Sequence, residues 1–73
     1  MFTIQVVSRN SGKPLKSKKV SFESTGIQGG FSSDRTDSNG EVHFSTPRNK
    51  GRLYVNGSLV YEGKVQGRRV VYV

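Results

Sequence analysis

His43 is the only histidine of the chain, and Glu41 stands two residues before it. In an extended segment that spacing puts both side chains on one face, where a carboxylate, an imidazole and nearby arginines could share the work of a small ribonuclease. The plainer account places His43 on an outer strand face between the core residues Val42 and Phe44. No Gly-x-Ser-x-Gly elbow is present, and nothing beside the single histidine completes a triad, so no catalytic residue is assigned. Asp34, Asp37, Asn39 and Glu41 bring four oxygen-bearing side chains into a short span, a spacing that can cradle calcium. An EF-hand loop with Gly40 at its sixth position would begin at Arg35 and end at Thr46, where an aspartate and a bidentate glutamate are needed. The span reads as a turn, and no metal site or cofactor is assigned.

The basic residues form the larger set. Twelve Lys and Arg face five Asp and Glu, a formal charge of +7, which favours anionic partners and also keeps a small β protein soluble. Three groups stand out: Lys13, Lys16, Lys18 and Lys19; Arg48, Lys50 and Arg52; Arg68 and Arg69. On one side of a domain they would make a continuous anion-binding surface. Tyr54, Tyr61 and Tyr72 are expected to point outward, opposite their apolar neighbours, where tyrosines beside cations are the parts of a single-strand stacking platform. The competing account pairs them across strands on a solvated face.

These side chains must be positioned by strands. Phe2, Ile4 and Val6 alternate with Thr3, Gln5 and Val7, which predicts a strand over Phe2 to Ser8. Asn10, Ser11 and Gly12 make a turn, Pro14 delays the next strand, and Val20 and Phe22 share a face in a strand over Lys18 to Ser24. Phe31 to Thr36 reads as a polar edge strand, and Asp37-Ser38-Asn39-Gly40 as the turn of a hairpin with Glu41 to Ser45. Asn56-Gly57 suits a two-residue type I′ turn joining Arg52–Val55 to Ser58–Tyr61. Gln66-Gly67 precedes a terminal strand over Arg68 to Val73, with Val70 and Tyr72 on one face and Val71 and Val73 on the other. No window has helical apolar spacing, and nine glycines penalise any candidate helix.

About seven short strands in a chain of 73 residues predict one all-β domain, a small antiparallel Greek-key β-sandwich, with an OB- or SH3-like barrel as the alternative. The chain has no cysteine, so neither disulfides nor thiolate zinc can supplement a thin core.

The order of these motifs resembles the prealbumin-like (transthyretin-like) sandwich modules, especially the carboxypeptidase regulatory-like domains. Gly12-Lys13-Pro14-Leu15 is similar to that family's element after its first strand, and Lys19-Val20-Ser21-Phe22 to the strand after it. Thr36-Asp37-Ser38-Asn39-Gly40-Glu41-Val42-His43-Phe44 is similar to its threonine, aspartate, glycine turn leading to an aromatic, and Leu53-Tyr54-Val55 to the strand that follows. The resemblance covers Phe2 to about Val60. It implies a Greek-key sandwich serving as an accessory, adhesive or carbohydrate-associated module, and it carries no catalytic residues.

The expected function is a non-enzymatic interaction module recognising a protein or glycan through its loops and a sheet face. The alternative is a basic single-stranded nucleic-acid-binding barrel. Met1 to Asn10 lacks the pattern of a secretory signal, and no apolar run approaches the length of a bilayer span, so membrane insertion is not expected. Cytoplasmic location is the default, with export the expectation for a domain of a longer exported protein. A Val-rich terminal strand offers an edge through which a homodimer could form.

Overall fold

The computed structural model describes residues 1–24, 30–46 and 50–73, and among them every regular element is a strand. The strands are β1 (Phe2–Val7), β2 (Lys19–Ser24), β3 (Phe31–Arg35), β4 (Glu41–Phe44), β5 (Lys50–Val55), β6 (Ser58–Lys64) and β7 (Gly67–Tyr72). They form two sheets, three strands in the order β4-β1-β7 and four in the order β3-β2-β5-β6. This is the expected small all-β Greek-key sandwich, and two separate sheets replace the closed wall of a barrel. One pairing departs from the antiparallel rule: β1 and β7, the first and last strands, run parallel from Phe2↔Gly67 to Val7↔Tyr72.

Period-two alternation decides which side chains meet. The three-stranded sheet turns Phe2, Ile4 and Val6, Val42 and Phe44, and Val71 inward, and the four-stranded sheet answers with Val20, Phe22, Leu53 and Val55. Phe2, Phe44 and Phe22 form the centre of this core, with the Phe2 and Phe22 rings 5.0 Å apart edge to face. Truncating such a ring typically costs about 3–5 kcal/mol, a large share of the stability of a domain this small. Val71 is buried while Val70, Tyr72 and Val73 are exposed, so Val70 and Tyr72 share the outer face as their spacing predicts.

The Asn56-Gly57 hairpin forms as expected. Asn56 and Gly57 both have positive φ, 52° and 86°, and Val55 pairs with Ser58. Further along, Tyr54 faces Leu59 but Leu53 faces Tyr61, so Val60 is an extra residue on edge strand β6. This bulge puts Leu59 and Tyr61 on opposite faces of the sheet, although two residues apart they would otherwise share one.

The turn at Asp37–Gly40 does not make the predicted hairpin. β3 pairs with β2 in one sheet and β4 with β1 in the other, so the turn is a corner that carries the chain between sheets. The bonds of a tight turn are present, Gly40 N–H donating to Asp37 O at 3.0 Å and Asp37 N–H to Glu41 O at 2.9 Å. What changes the outcome is the next contact: Val6 N–H donates to Gly40 O at 2.8 Å, docking the corner on the end of β1.

Gly40 has φ +73°, and a Cβ there would lie 2.8 Å from Val6 O and 2.9 Å from Pro14 Cβ. Gly57 has φ +86° with open space around it. Gly57→Ala should therefore cost only the left-handed strain, about 1–2 kcal/mol. Gly40→Ala should cost that plus overpacking, about another 1–3 kcal/mol. Urea unfolding of the two variants should rank them in that order, and equal losses would show that the corner is not closely packed.

Candidate functional site

The outer face of the four-stranded sheet is built in rows, because residues opposite one another on neighbouring strands share a face. Arg35 on β3 lies across from Lys19 on β2, with Asn56 beyond β5 on the other side, its Oδ1 accepting Lys19 N–H at 3.3 Å. The next row runs Ser33, Ser21, Tyr54, Leu59, and the one after it Phe31, Glu23, Arg52, Glu62. Lys50 and Lys64 face each other at the far end. Rows are separated by about 7 Å, two residues of extended chain.

Small residues in the second row leave a depression. Ser21 is buried, and its hydroxyl shares a hydrogen bond of 2.8 Å with that of Ser33, so the floor stays low while Phe31, Tyr54, Lys19 and Arg35 rise around it. The groove measures about 570 Å³. Phe31 is 65% exposed, a large apolar ring left in water at its rim. Tyr54 is half-buried and its hydroxyl donates to Glu23 Oε1 at 3.4 Å. Arg52 sits between two carboxylates, Nε donating to Glu62 Oε2 at 2.8 Å and Nη1 lying 3.5 Å from Glu23 Oε1, so its charge is largely spent within the face. The Glu62 carboxylate holds the Arg52 pKa above its ordinary value. Lys19 and Arg35 make no ion pair among the described residues, and Arg35 Nη1 donates to the Ser17 carbonyl at 3.2 Å.

The other predicted residues are dispersed. Lys13 and Lys16 are exposed on the loop before β2, and Lys18 is half-buried, its N–H donating to Thr36 Oγ1 at 2.9 Å. Arg48 lies outside the described residues. Arg68 and Arg69, adjacent on β7, must face opposite ways. Arg68 joins the outer face of the three-stranded sheet, where it pairs with Glu41 and donates to Gln5 Oε1 at 2.8 Å. Arg69 faces the other way and is exposed, its guanidinium 3.6 Å from the centre of the Tyr61 ring. The expectation that all three tyrosines point outward is corrected here. Tyr61, turned by the bulge, packs against the core, and its hydroxyl donates to Lys64 O at 2.9 Å. Tyr54 and Tyr72 do point outward, but from different sheets.

Phe31 and Arg35 belong to the groove and are absent from the residues singled out from sequence. The available signal was phase: Phe31, Ser33 and Arg35 alternate with Ser32 and Asp34, so an aromatic and a cation of an otherwise polar strand share one face.

The outer face of the three-stranded sheet carries His43 and Glu41. His43 Nδ1 and Thr3 Oγ1 share a hydrogen bond of 2.8 Å, and Glu41 is paired with Arg68. One ligand-capable atom each of Asp37, Glu41 and His43 lies within 4.8 Å of the others. Asp34 stands apart on β3, where its Oδ1 accepts Arg35 N–H. The Asp37 carboxylate caps the corner, Oδ1 accepting Asn39 N–H and Glu41 N–H, both at 2.9 Å. Those two bonds, with a smaller contribution from the nearby His43, hold the Asp37 pKa below its ordinary value. The acidic residues of this turn thus work as structural acceptors and ion-pair partners.

No family model, curated protein or solved structure matches the chain. Among the described residues no helix is long and apolar enough to cross a membrane.

A carboxylate with a depressed pKa in the folded state stabilises above its unfolded pKa, near 3.9, and loses that contribution as pH falls through the folded value. Asp37→Ala should therefore lower the melting temperature at pH 7, and the gap to the parent protein should narrow below about pH 4. A gap that stays constant down to pH 2 would show that the charge of Asp37 is irrelevant to the corner.

Proposed function

We propose that the chain is a non-enzymatic interaction module that recognises an anionic partner on the outer face of its four-stranded sheet. The observation that carries this reading is the Lys19–Arg35 pair. Like charges directly opposite on neighbouring strands oppose folding, and here two cations face each other at the rim of an open groove with Asn56 as the next neighbour. Lysine is often placed on edge strands to prevent sheet-to-sheet aggregation, and Arg35 on edge strand β3 could serve that end. Lys19 is on β2, which is paired on both sides, so edge protection does not account for it. An arrangement that costs stability without a packing return is expected where a site serves binding.

For Lys19 the absence of a rationale in folding is paired with a rationale in recognition. Two cations with no acidic partner among the described residues, set at one end of a groove with exposed aromatic surface at its rim, can hold a charged group and a flat one side by side. His43 Nδ1 is shared with Thr3 and its strand-face neighbour Glu41 with Arg68, so the two side chains that a nuclease reading would pair are each engaged with another residue.

Lys19→Glu separates the two roles. It turns a like-charge pair into an opposite-charge pair, so it should raise stability by about 0.2–1 kcal/mol. Binding to immobilised heparin, a general polyanion, should weaken, with elution at clearly lower salt than for Lys13→Glu, which makes the same charge change on a loop. Equal elution of the two variants would show that retention follows net charge, and would remove this face as the binding surface.

A further inference from the structure

Resting on that reading, we propose that the groove binds single-stranded nucleic acid, with bases stacked on Phe31 and Tyr54 and phosphates held by Lys19 and Arg35. The Phe31 ring has no hydrogen-bonding group and is 65% exposed, so its recognition chemistry is its apolar face. Every base offers a π-face to such a ring, which makes stacking tolerant of sequence. Tyr54 supplies a second ring, restrained through its hydroxyl at Glu23, and the Glu23 charge is itself covered by Arg52. Between the two rings the serine floor is low enough for a flat group to approach the sheet. Lys19 and Arg35 stand one row beyond Tyr54, as phosphates flanking stacked bases require.

The spacing selects single strands. Phe31 and Tyr54 are on strands either side of β2 and one row apart, which sets them about 12 Å from each other. Successive stacked bases in a duplex are about 3.4 Å apart along each strand. Bases can reach both rings only if the strand is splayed open, and a duplex keeps its base faces covered. An acidic peptide would satisfy the two cations and leave the rings without a counterpart. A sulfated glycan would likewise meet the cations first.

The test is fluorescence anisotropy with labelled oligothymidine and oligouridine of about a dozen nucleotides, and with a duplex of equal length, at about 50 and 200 mM salt. Single strands should bind with an affinity that falls steeply with salt, and Lys19→Ala should reduce the salt slope by about one unit. Phe31→Ala should weaken binding about tenfold with the slope unchanged, since stacking releases no counterions. Tyr54→Phe should bind as the parent does and Tyr54→Ala should not, with amide NMR spectra establishing that each variant is folded. Failure of single strands to bind, while heparin is still held through Lys19, would overturn this inference and leave the anion-binding module standing, its partner a glycan or an acidic protein. Failure of both probes would end both readings. Binding of duplex as tightly as single strand, indifferent to Phe31→Ala, would also overturn it.

Discussion

The corner between β3 and β4 is the constraint on which the sandwich depends, because there the chain leaves one sheet and enters the other. Its anchors come from both sides. Thr36 is buried, its hydroxyl donating to Leu15 O at 2.6 Å and accepting Lys18 N–H, while its backbone exchanges bonds with Ser17 and Lys18. Gly40 receives the N–H of Val6, whose own carbonyl accepts Leu15 N–H at 2.9 Å. The loop before β2, the end of β1 and the corner thus close on one another through polar groups that would be costly to bury unpaired. With the corner set, Val42 and Phe44 fall in register opposite Ile4 and Phe2, and the aromatic core can close against Phe22.

Local order was legible in the sequence, and sheet membership was not. The apolar alternation of Phe2, Ile4 and Val6 and the Asn56-Gly57 dipeptide each act within a few residues, so they read directly. An Asp-x-x-Gly turn makes the same local bonds in a hairpin and in a corner. The choice between them rests on the distant Val6 and Pro14, which no window around Asp37 contains. The parallel partnership of β1 and β7 is non-local in the same way. Tyr61 shows a subtler limit: simple alternation places it with Leu59, and one extra residue at Val60 reverses it. Arg68 and Arg69 show the opposite case, since adjacency on a strand was enough to separate them.

The two outer faces of the sandwich use charge differently. On the three-stranded sheet Arg68 is met by Glu41 and Gln5, and Thr3 by His43, so the polar groups satisfy one another. On the four-stranded sheet Arg52 is similarly enclosed by Glu23 and Glu62, yet Lys19 and Arg35, two rows away, make no ion pair among the described residues. A face with a satisfied centre and an unbalanced cationic margin has its order set by folding and its potential left over for something else. The Phe31 ring, on edge strand β3 two rows from that margin, is apolar surface left over in the same way, unspent by the core.

The parallel pairing of β1 and β7 also has a mechanical meaning. The chain enters at the start of β1 and leaves at the end of β7, so the two termini lie at opposite ends of one ladder, which Arg9 N–H to Val73 O and Val73 N–H to Val7 O extend. Tension applied between the termini would pull the two strands past each other along their length. The ladder would be loaded in shear, with its bonds sharing the force, whereas strands peeled from one end break theirs in sequence. A thin core can make a domain modest in equilibrium stability while this geometry makes it resistant to stretching.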